Sequence, residues 1–206
     1  MAFQDQCFIN CPFDKPYRKK MLKPLLFTIL HFNLNPVICE NPHNRARLDH
    51  IMHLMKNSKY GIHDISRMDL SKSTNLPRFN MPYELGIDFG LRNSGDPVLA
   101  TKIIYVMEKE PYRYIKSISD INGFDPVHHK NKAEDLTKNL RNVLYNTLQP
   151  PVVKSGSDIW KDFIKSTSDI RAHLTTYSDD DWLTMPATEY VKYTTDWITG
   201  GIPHIV

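Results

Sequence analysis

Short apolar runs alternate with longer stretches of helical periodicity from residue 7 to residue 148. The apolar runs predict strands at 7–13, 35–41, 59–66, 101–108 and 125–129. Apolar residues spaced three and four apart predict helices at 16–33, 46–58, 81–93 and 132–148, and 112–121 is predicted as a short helix or turn. This alternation is typical of a five-stranded parallel sheet with helices on both faces. We expect KYGIHDIS, residues 59–66, to be the central strand because it carries few charges before its end.

A change in pattern follows the two prolines at 150–151. The polar stretch KSGSD comes next, so we predict an α/β domain at 1–150 and a helical extension at 151–206. Two helices are expected in the extension, at 158–174 and 181–198, with Ser157 and Asp158 marking the start of the first. Its tryptophans and phenylalanine carry too much apolar area to remain in water, so the extension should pack on the core or on another subunit.

Charge and cysteine content narrow the class of protein. A formal net charge of +3 is too small to predict nucleic-acid binding, but it is compatible with a small anionic ligand. The N-terminus lacks the features of a signal peptide and no apolar run is long enough to span a membrane, so we expect a cytoplasmic protein that does not bind membranes. Cys7, Cys11 and Cys39 lie in apolar runs, which favours buried thiols in a reducing compartment over disulfides or a zinc site.

The segment after the first strand argues against the common cofactor folds. CPFDKPY, residues 11–17, contains no glycine, which excludes the usual phosphate-binding glycine loops at this position. No GxSxG or HExxH motif is present, and the histidines lack metal-ligand spacing. The sequence therefore predicts neither a cofactor nor a metal.

Polar side chains cluster where the predicted strands end. In open parallel sheets the ligand crevice lies at the carboxyl ends of the strands. The candidate ligand-binding residues at those positions are Asn10, Phe13, Asp14, Arg45, Arg47, Ser66, Arg67 and Asn80, and the candidate catalytic residues are Asp64 and Glu84. Pro77 and Pro82 stiffen the loop between the two carboxylates. We therefore expect Asp64 and Glu84 to line one pocket, with Asn10 and at least one of Arg45, Arg47 and Arg67 at its wall.

Three segments, FINCPFD, YGIHDISR and NMPYELG, resemble the nucleoside deoxyribosyltransferase and TIR-like superfamily over about residues 5 to 148. The resemblance implies a flavodoxin-like fold and an enzyme that cleaves N-glycosidic bonds. It implies that Glu84 is the catalytic carboxylate, that Asp64 contacts base or sugar, and that Phe13 and Asp14 line the pocket. The chain departs from the deoxyribosyltransferases in lacking their glycine-rich opening, and the C-terminal helices have no counterpart.

The residue types suit that chemistry. Cleavage of an N-glycosidic bond builds positive charge on the sugar, which a carboxylate beside C1′ stabilises or traps as an ester. Arginines such as Arg45, Arg47 and Arg67 can hold phosphate oxygens. The expected substrate is NAD⁺ or a nucleoside monophosphate, and the resemblance implies a role in defence against phage.

Each of these residues also has a structural explanation. Glu84 is expected in the first turn of the helix predicted at 81–93. The helix dipole would favour the ionised form of its carboxyl there, so Glu84 can serve only to complement that dipole. Asp64 can cap a turn with Ser66, and the arginines can be solvated. The alternatives to an enzyme are a module that senses a nucleotide without turnover, and a TIR-like domain that self-assembles as a homo-oligomer.

Overall fold

A computed structural model describes residues 2–40, 47–70, 75–121 and 125–202 of the chain. Its sheet contains five strands, β1 (Gln6–Asn10), β2 (Asn35–Val37), β3 (Tyr60–Asp64), β4 (Ile103–Glu108) and β5 (Val127–His128). All neighbouring strands are parallel and their order is β2-β1-β3-β4-β5. This is the order of flavodoxin-like folds, so the predicted fold class and the central position of β3 are confirmed.

The helices are α1 (Lys15–Tyr17), α2 (Lys23–Leu30), α3 (Arg47–Lys56), α4 (Asn80–Arg92), α5 (Ala133–Leu148), α6 (Gly156–His173), α7 (Asp179–Thr184) and α8 (Ala187–Ile198). A π-helical turn, Arg18–Leu22, joins α1 to α2. Short 3₁₀ turns lie at Phe3–Asp5, Leu99–Thr101, Tyr114–Lys116 and Ser119–Ile121.

The chain divides into two compact units that interleave in sequence. The first unit comprises Met1–Pro12 and Asn35–Lys130, and the second comprises Phe13–Leu34 and Asn131–Val206. The first unit therefore contains the whole sheet with α3 and α4, and the second contains the other six helices.

Two apolar clusters form the core of the first unit. Phe8 of β1 packs with Ile51 and Met55 of α3, and Ile87 of α4 joins the same cluster. Ile65 packs with Leu85 of α4 in the other cluster, together with Ile104 and Val106 of β4. Since both clusters take side chains from strands and from α4, they hold this helix against the sheet and fix the positions of its polar residues.

The core of the second unit joins distant parts of the chain. Phe27 of α2 packs with Ile159 and Ile170 of α6 and with Trp197 of α8. The indole N–H of Trp197 also donates to Asp169 Oδ2 at 2.8 Å. The apolar side chains of the C-terminal helices are thus covered in part by the first long helix of the chain.

Three details of the helices differ from the sequence-based prediction. Helix α6 begins at Gly156, and its cap is Ser155, whose side chain accepts from the backbone of Asp158. The predicted helix at 181–198 is two helices, because Pro186 interrupts the pattern and serves as the N-cap of α8. The predicted helix at 16–33 is divided into α1, the π turn and α2, and Pro24 lies in the first turn of α2, where its missing N–H is tolerated.

Candidate functional site

The last residues of three strands place polar side chains at one edge of the sheet. Asn10 ends β1, Asp64 ends β3 and Glu108 ends β4, and all three are buried. The strand order reverses between β1 and β3, and ligands of open parallel sheets bind outside the carboxyl ends at such a point. The edge next to Asn10 is therefore the first candidate for a binding site.

Asn10 connects the end of β1 to the start of α4. Its amide nitrogen donates to the backbone oxygen of Met81 at 2.9 Å and lies 3.0 Å from Nδ1 of His63. An amide NH₂ group donates but cannot accept, so Nδ1 of His63 is the acceptor and its ring proton lies on Nε2. The amide that the sequence placed inside a buried strand is thus satisfied, and it fixes the first turn of α4 next to the sheet.

Behind Asn10 lies a buried ionic network that the sequence analysis missed. Nε2 of His63 lies 3.0 Å from Oδ2 of Asp88, and Nζ of Lys102 lies 3.1 Å from the other carboxylate oxygen. Lys102 also donates to the backbone oxygens of Met55 at 2.7 Å and Ser58 at 2.5 Å. The side chains of His63, Asp88 and Lys102 are fully buried. A buried charge persists only when it is paired and hydrogen-bonded, and this network provides both.

Glu84 lies one helical turn after the residue that Asn10 holds. It is the fifth residue of α4, and the first turn of this helix contains no acidic residue. Among the described residues its ion-pair partner is Arg47, the first residue of α3, whose Nη1 lies 3.9 Å from Glu84 Oε1. Burial raises the pKa of the Glu84 carboxyl, and Arg47 opposes this shift only in part. The predicted first-turn position is therefore wrong, and the direction of the pKa shift is opposite to the one that a first-turn position would give.

Access distinguishes Glu84 from the other buried carboxylates. The Glu84 side chain is 10% exposed and that of Arg47 is 35% exposed, whereas the side chains of Asp64 and Glu108 are fully buried. Among these groups, Glu84 and its partner Arg47 are therefore the ones that solvent reaches. Reaching Asp64 would require its neighbours to move.

Asp64 belongs to a different group of contacts. Its Oδ1 accepts from the backbone N–H of Ser66 at 2.9 Å, and its Oδ2 lies 3.3 Å from Nε2 of His129. Successive residues of a strand point to opposite sides of the sheet, and His63 points toward Asp88 of α4. Asp64 therefore points away from α4. These contacts do not support the expectation that Asp64 and Glu84 line one pocket.

The end of β4 adds a second polar group to the Asp64 side. Oε1 of Glu108 accepts from the backbone N–H of Lys109 at 2.7 Å and lies 3.5 Å from Nη1 of Arg113. Within the part of the chain that the structure describes, Glu108 Oε2 and Ser66 Oγ are buried without a hydrogen-bond partner. Burial raises the pKa of Glu108, and the backbone N–H of Lys109 and the charge of Arg113 partly oppose this. Buried groups of this kind are candidates for ligand contact, although this cluster has less solvent access than Glu84.

The remaining predicted residues lie in several environments. Asn80 is the exposed first residue of α4. Arg67 is half-buried after β3, and its carbonyl accepts from the backbone N–H of Arg78 at 3.4 Å. Arg45 lies outside the described residues.

Phe13 and Asp14 belong to the second unit. Asp14 is the N-cap of α1, where its carboxylate accepts from the backbone N–H of Tyr17 at 2.9 Å. The ring of Phe13 lies under the guanidinium of Arg18, 5.5 Å from its centroid. Both side chains thus have local partners in the start of the helical segment.

Some of the missed residues carried a signal in the sequence. Asp88 lies three residues after Leu85 and three before Leu91, so a carboxylate between two apolar residues at helical spacing should have indicated a buried partner. Gly61 within β3 was a second sign of close approach. An added Cβ at Gly61 would lie 2.3 Å from Oδ2 of Asp88. Lys102 precedes an apolar strand and gave no comparable signal.

Comparison with known proteins adds no family assignment: no family model, curated protein or solved structure matches the chain significantly. Among the described residues, no helix is both long and apolar enough to cross a bilayer. Over the same residues, no three His, Cys, Asp or Glu side chains converge into a group that could hold a metal ion.

Proposed function

We propose that the protein binds a nucleotide or an NAD-like molecule at the carboxyl edge of its sheet and cleaves the N-glycosidic bond of that ligand. One observation carries the proposal: Glu84 is a largely buried carboxylate that remains accessible beside the point where the strand order reverses. The resemblance of FINCPFD, YGIHDISR and NMPYELG to the deoxyribosyltransferase and TIR-like superfamily supports the same residue.

In the proposed reaction the bond between C1′ and the base nitrogen breaks, and its electron pair leaves with the base. Positive charge develops on the ribosyl ring, and the Glu84 carboxylate stabilises it through space or as a transient ester. Water then supplies hydroxide to C1′ and releases its proton to solvent or to the departing base. Because the Glu84 side chain is only 10% exposed, its charge interacts more strongly with the ribosyl ring than a surface carboxylate would.

Arg47 has two roles in this scheme. Its guanidinium at 3.9 Å lowers the cost of ionising Glu84, and its 35% exposure leaves donors for a phosphate of the ligand. Asn10 has a positioning role, since its bond to the backbone of Met81 holds the turn of α4 that precedes Glu84. Asp64 has no direct contact with the ligand in this scheme, because its carboxylate is enclosed by Ser66 and His129.

The decisive experiment incubates the pure protein with NAD⁺ and a panel of nucleoside monophosphates and measures the free base by chromatography. We expect release by the wild type and a loss of roughly a thousandfold in Glu84→Gln, since the amide keeps the shape and lacks the charge. Glu134→Gln is the matched control, because Glu134 is 47% exposed and pairs only with Lys138 on α5 among the contacts described. Release that is equal in Glu84→Gln and wild type would exclude Glu84 as the catalytic carboxylate.

The second candidate is a module that senses a nucleotide without turnover. The observation in its favour is the Arg47–Glu84 pair, which gives the carboxylate an internal partner and so explains it without catalysis. In this case no free base forms with any member of the panel, whereas a nucleotide still binds and Arg67→Ala weakens the binding. Size-exclusion chromatography with and without the nucleotide then tests for the self-assembly that the resemblance implies.

A further inference from the structure

A cavity of about 540 Å³ lies within the second unit, between the helical segment that begins at Lys15 and the short helix α7. This volume is in the range of small-molecule sites. All of its lining residues belong to the second unit, so it is separate from the residues of the proposed function.

One wall of the cavity carries three lysines. Lys15, Lys19 and Lys23 are spaced four residues apart, which places them along one side of the helical segment. Eight residues of helix span roughly 12 Å, so the exposed ammonium groups of Lys15 and Lys19 can contact an extended ligand, and buried Lys23 adds its charge at the end of the row. The π turn at Arg18–Leu22 shifts the helical register within this stretch, and all three side chains nevertheless line the same cavity.

The innermost lysine is held by aromatic residues. Lys23 is 9% exposed, and its Nζ donates to the backbone oxygen of Trp182 at 2.8 Å. The same nitrogen lies 4.8 Å from the ring centroid of Trp182 and 5.4 Å from that of Tyr190. These contacts fix a positive charge at the base of the cavity and leave Trp182 as part of its lining.

The opposite wall has mixed charge. Arg171 lines the cavity and is ion-paired with Asp179, and Asp180 lies beside them. Four cations thus face two carboxylates, and one cation and one carboxylate are already paired with each other. The net charge of the lining residues is positive, and the positive charge is concentrated on the wall that carries the lysines.

We propose that this cavity is a binding site for a small polyanion that carries two or more phosphate groups. Lysine binds phosphate as a point charge, and three lysines along one wall match several linked phosphates better than a single anion. The indole of Trp182 offers a stacking surface if the polyanion carries a base.

The test is titration of the full chain with inorganic tripolyphosphate, followed by calorimetry and tryptophan fluorescence at low ionic strength. We expect binding that weakens as salt is added, and a loss of about tenfold in affinity in the double variant Lys15→Gln/Lys19→Gln. The matched control is Lys20→Gln/Lys165→Gln, which removes two exposed lysines that do not line the cavity. Trp182→Phe should keep the calorimetric signal and lose most of the change in fluorescence.

Titration with a nucleoside triphosphate tests whether the site recognises a base in addition to linked phosphates. Tighter binding than tripolyphosphate indicates that a base stacks on Trp182, and equal binding indicates that the phosphates alone are recognised. The proposal is overturned if tripolyphosphate does not bind at low salt, or if the control double variant loses as much affinity as Lys15→Gln/Lys19→Gln. Binding that is unchanged in Glu84→Gln separates this site from the proposed active site.

Discussion

Replacing Gly61 with alanine should break the buried network behind Asn10. The new Cβ would lie 2.3 Å from Oδ2 of Asp88 and 3.0 Å from Nε2 of His63, and the first distance is shorter than real Cβ contacts allow. The carboxylate must therefore move by about 1 Å, which lengthens its contacts to His63 and Lys102.

The size of the effect follows from two opposing contributions. Breaking a buried ion pair costs about 3–5 kcal/mol. Alanine is favoured over glycine in an extended strand by about 0.5–1 kcal/mol, since glycine loses more backbone entropy on folding. We therefore expect Gly61→Ala to destabilise the protein by about 2–4 kcal/mol, which most folded domains survive.

Urea unfolding followed by circular dichroism measures this difference, and a shift of roughly 1–2 M in the midpoint is expected. The control is Gly86→Ala on α4, where an added Cβ meets nothing within 4 Å. That variant should be stabilised by about 0.5–1 kcal/mol, because alanine is the better helix former. If Gly61→Ala unfolds at the same midpoint as wild type or at a higher one, the close approach of Asp88 to β3 does not have the energetic role assigned to it.

Five further predictions concern other parts of the molecule. Burial raises the folded-state pKa of Glu84 above its ordinary value of 4.5, so the charge of Glu84 opposes folding once the pH rises through the folded-state pKa. Glu84→Gln should therefore raise the urea midpoint more at pH 7.5 than at pH 4. A larger gain at pH 4 would contradict this sign. For the same reason, if the protein proves to be an enzyme, its kcat/KM should fall on the acid side at a pH above 4.5, as a pH profile would show. Asn10→Ala should cost about 1–3 kcal/mol in urea unfolding because it leaves buried groups unsatisfied, and Ser178→Ala should cost about 1 kcal/mol by removing the capping box of α7. Gln149, at the end of α5, has a φ of 43°, so Gln149→Gly should raise the melting temperature, and an unchanged or lower value would argue against that conformation.

The sheet could be predicted from the sequence because each strand and each helix is signalled by the residues within that segment. Each strand is a short apolar run, each is followed by a helical segment, and this alternation leaves few topologies other than a parallel sheet. The central position of β3 followed from the scarcity of charge in KYGIHDIS. The break at Pro186 was also present in the sequence and was overlooked, because apolar periodicity continues on both sides of it.

The candidate site was less predictable because its contacts join residues that are distant in sequence. Asn10 and Glu84 were identified from their positions, but the partnership of Asp88 with Lys102 depends on the packing of α4 against the sheet. The direction of the Glu84 pKa shift was predicted from its expected place in a helix turn, whereas burial of the carboxyl raises that pKa. The orientation of Asp64 was also not predicted. Successive residues of a strand point to opposite sides of the sheet, so its side chain points away from the helix that carries Glu84.

The core of the second unit has a consequence for synthesis of the chain. Phe27 packs with Ile159, and 132 residues separate them. At ordinary translation rates the ribosome needs roughly ten to twenty seconds to add that many residues. During this interval α2, which is apolar on nearly every side, has no covering partner from the C-terminal helices. Nascent chains that stop before residue 159 should therefore bind general chaperones, and full-length chains should release them once α6 and α8 emerge.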